Sequence, residues 1–149
     1  MPTPARVVVV PGEPGPLQIH EVNLPDPGPL QVVVKQFASG ICHSQLHQMH
    51  RPRTGNAQVL GHESTGVVMK KGSEVTHVKE GDRVMVTWVR RDATTSTRAP
   101  QPAAIDLGNG TIARGNVFTW ADITIADEQY VVAPPMSRSM SPPSSAAPS

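Results

Sequence analysis

The chain has 149 residues, enough for one domain with a buried core, and its 13 basic and 12 acidic residues give a net charge of +1. This balance gives no reason to expect nucleic acid or an anionic membrane as a partner, and the apolar run 7–10 is too short for a signal peptide or a membrane span. A single cysteine excludes an intrachain disulfide and a four-cysteine zinc site, and we expect a cytoplasmic protein.

Short valine-rich segments, separated by proline and glycine, predict a mostly β domain. In one of them, for example, Val84, Val86 and Trp88 share one face of a strand. Strands are expected over residues 6–10, 17–22, 31–39, 66–69, 82–89 and 123–132. Six short strands at this spacing favour a barrel or a sandwich.

One helix is predicted from residue 42 to about residue 50, because Pro52 ends it. The polar, irregular sequence between residues 90 and 104 predicts a long surface loop. Residues 136–149 are mainly serine, proline and alanine, which cannot supply a core. We therefore expect a domain over residues 1–135 and a disordered tail over residues 136–149.

The segment Gly-Asn-Gly-Thr-Ile-Ala, residues 108–113, matches the glycine spacing of dinucleotide-binding loops. Such a loop needs a strand before it and a helix after it, and no helical periodicity follows here. Asn109 and Gly110, flanked by apolar residues, are better explained as the central residues of a tight β-hairpin, where both need positive φ angles. We predict a hairpin at this position.

Candidate metal ligands concentrate in residues 40–50, Gly-Ile-Cys-His-Ser-Gln-Leu-His-Gln-Met-His, and in residues 61–64, Gly-His-Glu-Ser. A catalytic zinc binds thiolate, imidazole or carboxylate in three positions and keeps a fourth position exchangeable. Cys42 and His62 can supply a thiolate and an imidazole. His47 lies five positions after Cys42, about 140° around the helix, and is a poor partner for the same ion.

Each of these residues also has an ordinary structural explanation. A lone cysteine is most often a small buried apolar residue. His20, His50 and His77 are expected to be surface residues or satisfied core residues. The combination of a thiol, an imidazole and a neighbouring carboxylate is what favours a metal site.

Three ordered motifs, GICHSQLH at residues 40–47, LGHESTGVV at 60–68 and VKEGDRVMV at 78–86, resemble the amino-terminal, GroES-like domain of the zinc-dependent medium-chain alcohol dehydrogenases. The resemblance covers about residues 5–135. It implies a GroES-like, partly open β-barrel with one or two short helices. It also implies oxidation of a small alcohol, or reduction of an aldehyde or ketone, with Zn²⁺ and with NAD or NADP.

The resemblance further implies a role for four residues of the first motif and for His62. Cys42 and His62 correspond to two ligands of the catalytic zinc. Ser44 would take the alcohol's proton and pass it toward His47, while His43 would lie near the cofactor phosphates. These residue types suit the chemistry, because a bound cation stabilises the alkoxide from which hydride leaves and a hydroxyl and an imidazole carry the proton away.

The sequence departs from the family at the third zinc ligand, which is usually a further cysteine that this chain lacks. Glu63 could replace it in charge, and the resemblance places Glu63 behind the zinc or moving in to bind it. Neighbours on a regular strand point to opposite faces, however, so His62 and Glu63 reach one ion only if the backbone is irregular after Gly61.

A second departure is the absence of the family's doubly wound cofactor domain and of its four-cysteine lobe, whose place is taken by residues 90–104. We therefore expect a truncated dehydrogenase that is inactive as this chain alone. Two alternatives stay open: a non-enzymatic GroES-like module that binds zinc or a protein, and a zinc-free quinone reductase of the same superfamily. The sequence is compatible with a homo-oligomer and does not fix the substrate.

Overall fold

The computed structural model describes residues 1–92, 94 and 96–135. These residues form two five-stranded sheets, one α-helix and one turn of 3-10 helix, which confirms the mostly β architecture with one or two short helices. The elements in chain order are β1 (Thr3–Val10), β2 (Gln18–Leu24), β3 (Gln31–Ser39), α1 (His43–His50), β4 (Gln58–Val59), β5 (Glu63–Lys71), β6 (Arg83–Thr87), β7 (Ala103–Asp106), β8 (Ile112–Gly115), β9 (Ile123–Asp127), the 3-10 turn (Glu128–Tyr130) and β10 (Val131–Val132).

The first sheet has the strand order β2-β1-β4-β8-β7 and the second has the order β10-β6-β5-β3-β9. Strands β4 and β8 pair in parallel, and the other neighbouring strands pair antiparallel. A bridge between Val7 and Ala121 links β1 to the segment that enters β9. Both curved sheets therefore share one chain segment just before β9.

Strand β3 contributes to two separate cores. Val33 packs into the cluster that contains Phe118, while Val32 and Val34 point to the other face and pack with Tyr130. All three valines are fully buried. A strand with two covered faces needs a continuous apolar run rather than an alternating one, which explains the sequence Val-Val-Val here.

The hairpin predicted at Asn109 and Gly110 is confirmed. Strands β7 and β8 pair antiparallel across this turn, and the two central residues have φ angles of 53° and 76°. The Thr111 N–H donates to the Gly108 carbonyl at 3.0 Å and closes the turn. The glycines at residues 108–113 therefore form a hairpin turn and do not begin a helix.

The prediction of one strand over residues 123–132 is wrong, because a 3-10 turn separates β9 from β10. Asp127 has no exposed surface, and its carboxylate accepts two hydrogen bonds from Arg98, at 2.7 and 2.8 Å. It also accepts from the backbone N–H groups of Gln101, at 2.8 Å, and Gln129, at 3.0 Å. The chain turns at this point so that all four donors reach one buried carboxylate.

Strands β4, β7 and β8 were not predicted as strands, since two to four residues give too short a pattern to recognise. The described residues of the predicted loop contain no helix or strand until β7 begins at Ala103. The predicted tail over residues 136–149 lies outside the described residues. No helix in the described part of the chain is long and apolar enough to cross a membrane.

The pKa of Asp127 lies below the usual value for aspartate. Burial of the carboxylate raises it, but the hydrogen bonds from Arg98 and from the Gln101 and Gln129 amides together lower it more. The ionised carboxylate thus stabilises the fold fully above its unfolded pKa of about 3.9, and this stabilisation is lost as pH falls through the lower folded value.

We predict that Asp127→Asn lowers the free energy of unfolding by about 3 kcal/mol at neutral pH, because Arg98 loses its counterion. The difference between this variant and the natural chain should begin to shrink below a pH of about 4, the pKa of the unfolded carboxylate, and should disappear only below the lower pKa of the folded carboxylate. Urea unfolding at several pH values measures both effects. Asp106→Asn, at an exposed carboxylate, is the matched control and should change stability by no more than about 0.5 kcal/mol. Equal stabilities for the two variants would contradict the assignment.

Candidate metal and substrate site

Cys42 lies directly before helix α1, in an extended conformation (φ −109°, ψ 149°) that makes it the N-cap residue. Its backbone N–H donates to Gln45 Oε1 at 2.7 Å, and the Gln45 N–H donates to the Cys42 carbonyl at 3.0 Å. The side chain of the third helical residue therefore satisfies a free amide at the helix start, as in one half of a capping box. The predicted helix is confirmed, and this contact holds Cys42 at its N-terminal end.

The Gln45 side chain also contacts His62. Gln45 is 1% exposed, and its Nε2 lies 2.8 Å from His62 Nδ1. Because Oε1 accepts from the Cys42 N–H, the end of the amide that faces the ring is the NH₂ group, which can only donate. Nδ1 therefore accepts this hydrogen bond, and the neutral His62 ring carries its proton on Nε2. One carboxamide holds both the Cys42 backbone and the His62 ring.

The Cys42 thiol is partly exposed, and its pKa lies below the usual value for cysteine. The largest cause is a hydrogen bond with the Ser44 side chain, followed by one from the Ser44 backbone, with a smaller contribution from the His43 backbone. Burial and the negative charge of Glu63 act in the opposite direction. The surroundings thus favour a thiolate, which is the form that binds metal ions.

The loops that carry these residues are held by Thr119 and Trp120. The Thr119 N–H donates to the Gly61 carbonyl at 3.2 Å, and Trp120 Nε1 donates to the Gly40 carbonyl at 3.2 Å. Gly61 has a φ of 96°, and a side chain there would collide with Thr119 and Trp120. The backbone just before His62 is therefore irregular, which is the condition for His62 and Glu63 to approach one point.

The irregular backbone nevertheless leaves the two side chains with different neighbours. His62 meets Gln45, whereas the Glu63 carboxylate packs against Gly40, where an added Cβ would touch it. Among the described residues, no three His, Cys, Asp or Glu side chains stand together in a way that could hold a metal ion. A thiolate and an imidazole both suit zinc chemically, so Cys42 and His62 remain the candidate ligands among the residues in place.

The remaining candidate residues lie on the exposed side of helix α1. His43, Ser44 and His47 are all exposed. Ser44 and His47 are three positions apart, so their side chains are neighbours on the helix surface. The rings of His43 and His47, four positions apart, make an edge contact with their centroids 4.8 Å apart.

A cleft of about 500 Å³ opens beside His62 and is lined also by Gln48, Trp88, Arg114 and Tyr130. Trp88 is exposed, and its ring centroid lies 6.4 Å from that of His62. The cleft has the size of a small-molecule site, roughly 300–1,000 Å³, and combines polar and apolar walls. A second cleft, of about 520 Å³, runs along β1 and β2 and is lined by none of the candidate residues.

Gln45, Thr119 and Trp88 lie beside the candidate residues but were not predicted from the sequence. The position of Gln45, three residues after an N-cap residue, is a signal for capping that the sequence does carry. Thr119 gives no such signal, since only folding brings it to Gly61. The expected ordinary environments of two histidines are confirmed, because His20 bonds to Gln18 and His77 to the Val131 carbonyl.

Comparison with known proteins identifies the family of this chain. The family model of the alcohol dehydrogenase GroES-like domain matches residues 28–136, which is more than half of the chain. The chain belongs to this family, the GroES-like amino-terminal domain of the zinc-dependent medium-chain alcohol dehydrogenases.

Among similar sequences, an alcohol dehydrogenase of Moraxella sp. (strain TAE123) is 46% identical over 76 residues, covering 49% of this chain and 22% of the relative. A sorbitol dehydrogenase of Homo sapiens is 40% identical over 88 residues, covering 56% of this chain and 25% of the relative. The chain thus matches no more than about a quarter of the length of these relatives.

Among solved structures, an alcohol dehydrogenase zinc-binding domain protein from Burkholderia ambifaria superposes with a TM-score of 0.74 at 21% identity. The superposition covers 91% of this chain and 43% of that protein. At this level of identity the likeness establishes the fold alone, and it confirms the GroES-like architecture.

We predict that Ser44→Ala raises the pKa of the Cys42 thiol, because it removes the strongest hydrogen bond to the thiolate. The rate of iodoacetamide alkylation, followed against pH in the presence of EDTA, reports this pKa directly, since the chain has one cysteine. The midpoint should move to higher pH in Ser44→Ala. It should not move in Ser73→Ala, which changes an exposed serine in the turn after β5. Identical profiles for all three proteins would show that Ser44 does not act on the thiol.

Proposed function

We propose that this chain forms the zinc-binding catalytic half of an alcohol dehydrogenase, which oxidises an alcohol or reduces an aldehyde or ketone with NAD or NADP. The observation that supports this most strongly is the contact of one buried amide, that of Gln45, with both the Cys42 backbone and the His62 ring. The matched relatives are alcohol and sorbitol dehydrogenases, which favours a small alcohol or a polyol as substrate.

In this proposal Cys42 and His62 are the first two zinc ligands, and Glu63 moves from Gly40 to become the third. The lowered pKa of the Cys42 thiol supports its role as a thiolate ligand. The negative charge of Glu63 acts to raise the pKa of the Cys42 thiol, which supports a short distance between the two side chains. Bound zinc would act as a Lewis acid that stabilises the alkoxide form of the alcohol.

To bind zinc through Nε2, the neutral His62 ring would have to carry its proton on Nδ1 instead. Nε2 is the ring nitrogen that Gln45 leaves free, and in the neutral ring it carries the proton. Ligation through Nε2 therefore moves the proton to Nδ1, where it would face the Gln45 NH₂ group. The Gln45 amide must then turn and give up its bond to Cys42, so we expect zinc to bind less tightly than where a carboxylate supports the histidine.

The exposed side of α1 supplies the proton path. In this proposal the Ser44 hydroxyl, which hydrogen-bonds to the Cys42 thiol, accepts the alcohol's proton, and His47, three positions further along the helix, carries it to solvent. His43, at the first position of the helix, would face the phosphates of the cofactor. The cleft beside His62, with Trp88 as an apolar wall, has room for the carbon chain of a small alcohol.

We predict that the chain binds Co²⁺, used as a spectroscopic substitute for Zn²⁺, with a thiolate-to-cobalt charge-transfer band in the near ultraviolet. Cys42→Ser should abolish the band, because no other thiol is present. His62→Ala should weaken cobalt binding at least tenfold, because it removes the second ligand. Absorbance titration under reducing conditions measures both effects.

His50→Ala is the matched control, since His50 is an exposed histidine at the end of the same helix. It should leave the band and the affinity unchanged. The zinc site is refuted if no charge-transfer band forms at millimolar cobalt, or if His62→Ala and His50→Ala bind cobalt as tightly as the natural chain.

A non-enzymatic module is the second candidate, because apolar residues beside the site are exposed. Phe37 is 60% exposed and Ile41, directly before Cys42, is 82% exposed. Such residues are suited to packing against another protein surface. Assays of the chain with NAD⁺ or NADP⁺ and small alcohols separate the candidates, since turnover that is lost in Cys42→Ser excludes an inert module.

A further inference from the structure

The exposed face of helix α1 carries two histidines whose rings are in contact. His43 and His47 are both exposed, and their ring centroids lie 4.8 Å apart with the ring planes at 71°. Within the described part of the chain, neither ring makes a hydrogen bond to another group. Two exposed imidazoles in edge contact therefore lie close together on the solvent side of α1.

We propose that His43 and His47 form a second divalent-cation site, for an ion of the nickel, copper and zinc class. This site is separate from the pair Cys42 and His62, and the argument for it does not depend on the proposed dehydrogenase function. It depends on the ring contact and on the helical spacing alone.

The four-residue spacing of His43 and His47 on the helix allows both rings to bind one ion. Side chains four positions apart lie one above the other on a helix, about 5–6 Å apart at their Cβ atoms. Neutral imidazole is a good ligand for nickel, copper and zinc, and two histidines four apart on one helix face are a recurrent way to bind such ions. Because the helix already holds both rings together, the second nitrogen binds at a high effective concentration.

The pair lies on the opposite side of helix α1 from Gln45. Gln45, which contacts Cys42 and His62, is two positions from each histidine and therefore about 160° around the helix from both. His43 and His47 are exposed, whereas Gln45 is buried. No third His, Cys, Asp or Glu joins the pair among the described residues, so water would fill the other positions of the ion.

The test uses the full chain with Cys42→Ser, which removes the thiolate and hence the strongest ligand of the other site. Isothermal titration with NiCl₂ should show one bound equivalent. His43→Ala and His47→Ala, each added to this background, should weaken nickel binding at least tenfold, because a single imidazole remains. Bound nickel should also raise the melting temperature of the background protein, since it joins two turns of α1, and should do so less in the His47→Ala protein.

His50→Ala in the same background is the matched control, as an exposed histidine on the same helix. It should bind nickel within twofold of the background protein. The proposal is overturned if the background protein binds no nickel at 1 mM ligand, if both pair variants keep its affinity, or if His50→Ala weakens binding as much as they do. Circular dichroism of each variant confirms that α1 and the sheets are folded before the titrations are compared.

Discussion

The carboxamide of Gln45 joins helix α1 to His62, which lies 17 residues after Gln45, just before strand β5. Its oxygen accepts the amide proton of Cys42 at the start of α1, and its nitrogen donates to the His62 ring just before β5. Gln45 itself is 1% exposed, and both of its hydrogen bonds are partly buried. Removing such a side chain leaves buried donors and acceptors unpaired, at about 1–3 kcal/mol for each group. The position of the thiol relative to the imidazole depends on this contact.

Residues at the junction of the two sheets hold in place the segments that this contact joins. Thr119 and Trp120, which immediately precede the bridge of Ala121 to β1, fix the carbonyls of Gly61 and Gly40. Those two glycines flank the segments that carry His62 and Cys42. The candidate site thus lies where the two sheets share a chain segment, although its ligands come from a helix and a loop.

Local patterns explain why much of the fold could be predicted. Valine-rich segments bounded by proline and glycine gave the long strands, and the pair Asn109 and Gly110 gave the hairpin, because both effects act between near neighbours. The 3-10 turn after β9 could not be predicted in this way. The turn lies at Asp127, whose carboxylate accepts hydrogen bonds from Arg98, 29 residues away. A contact between such distant residues leaves no local pattern in the sequence.

The candidate site residues could be named from the sequence, but the contacts between them could not be predicted. The motifs around Cys42 and His62 identified the thiol and the imidazole, and the resemblance supplied their roles. No pattern in the sequence indicated that Gln45 would connect them, since a glutamine in a short helix is usually solvated. The sequence left open whether His62 and Glu63 reach one ion, and the contact of the Glu63 carboxylate with Gly40 shows that the two side chains have different neighbours.

The most direct test of this account is the protonation pattern of the His62 ring in the metal-free chain. Long-range proton–nitrogen correlation NMR distinguishes a ring nitrogen that carries a proton from one that accepts a hydrogen bond. The account predicts that neutral His62 is protonated at Nε2, with Nδ1 accepting from Gln45, and that Gln45→Leu removes this preference. A proton on Nδ1 in the natural chain would contradict the contact on which the site depends.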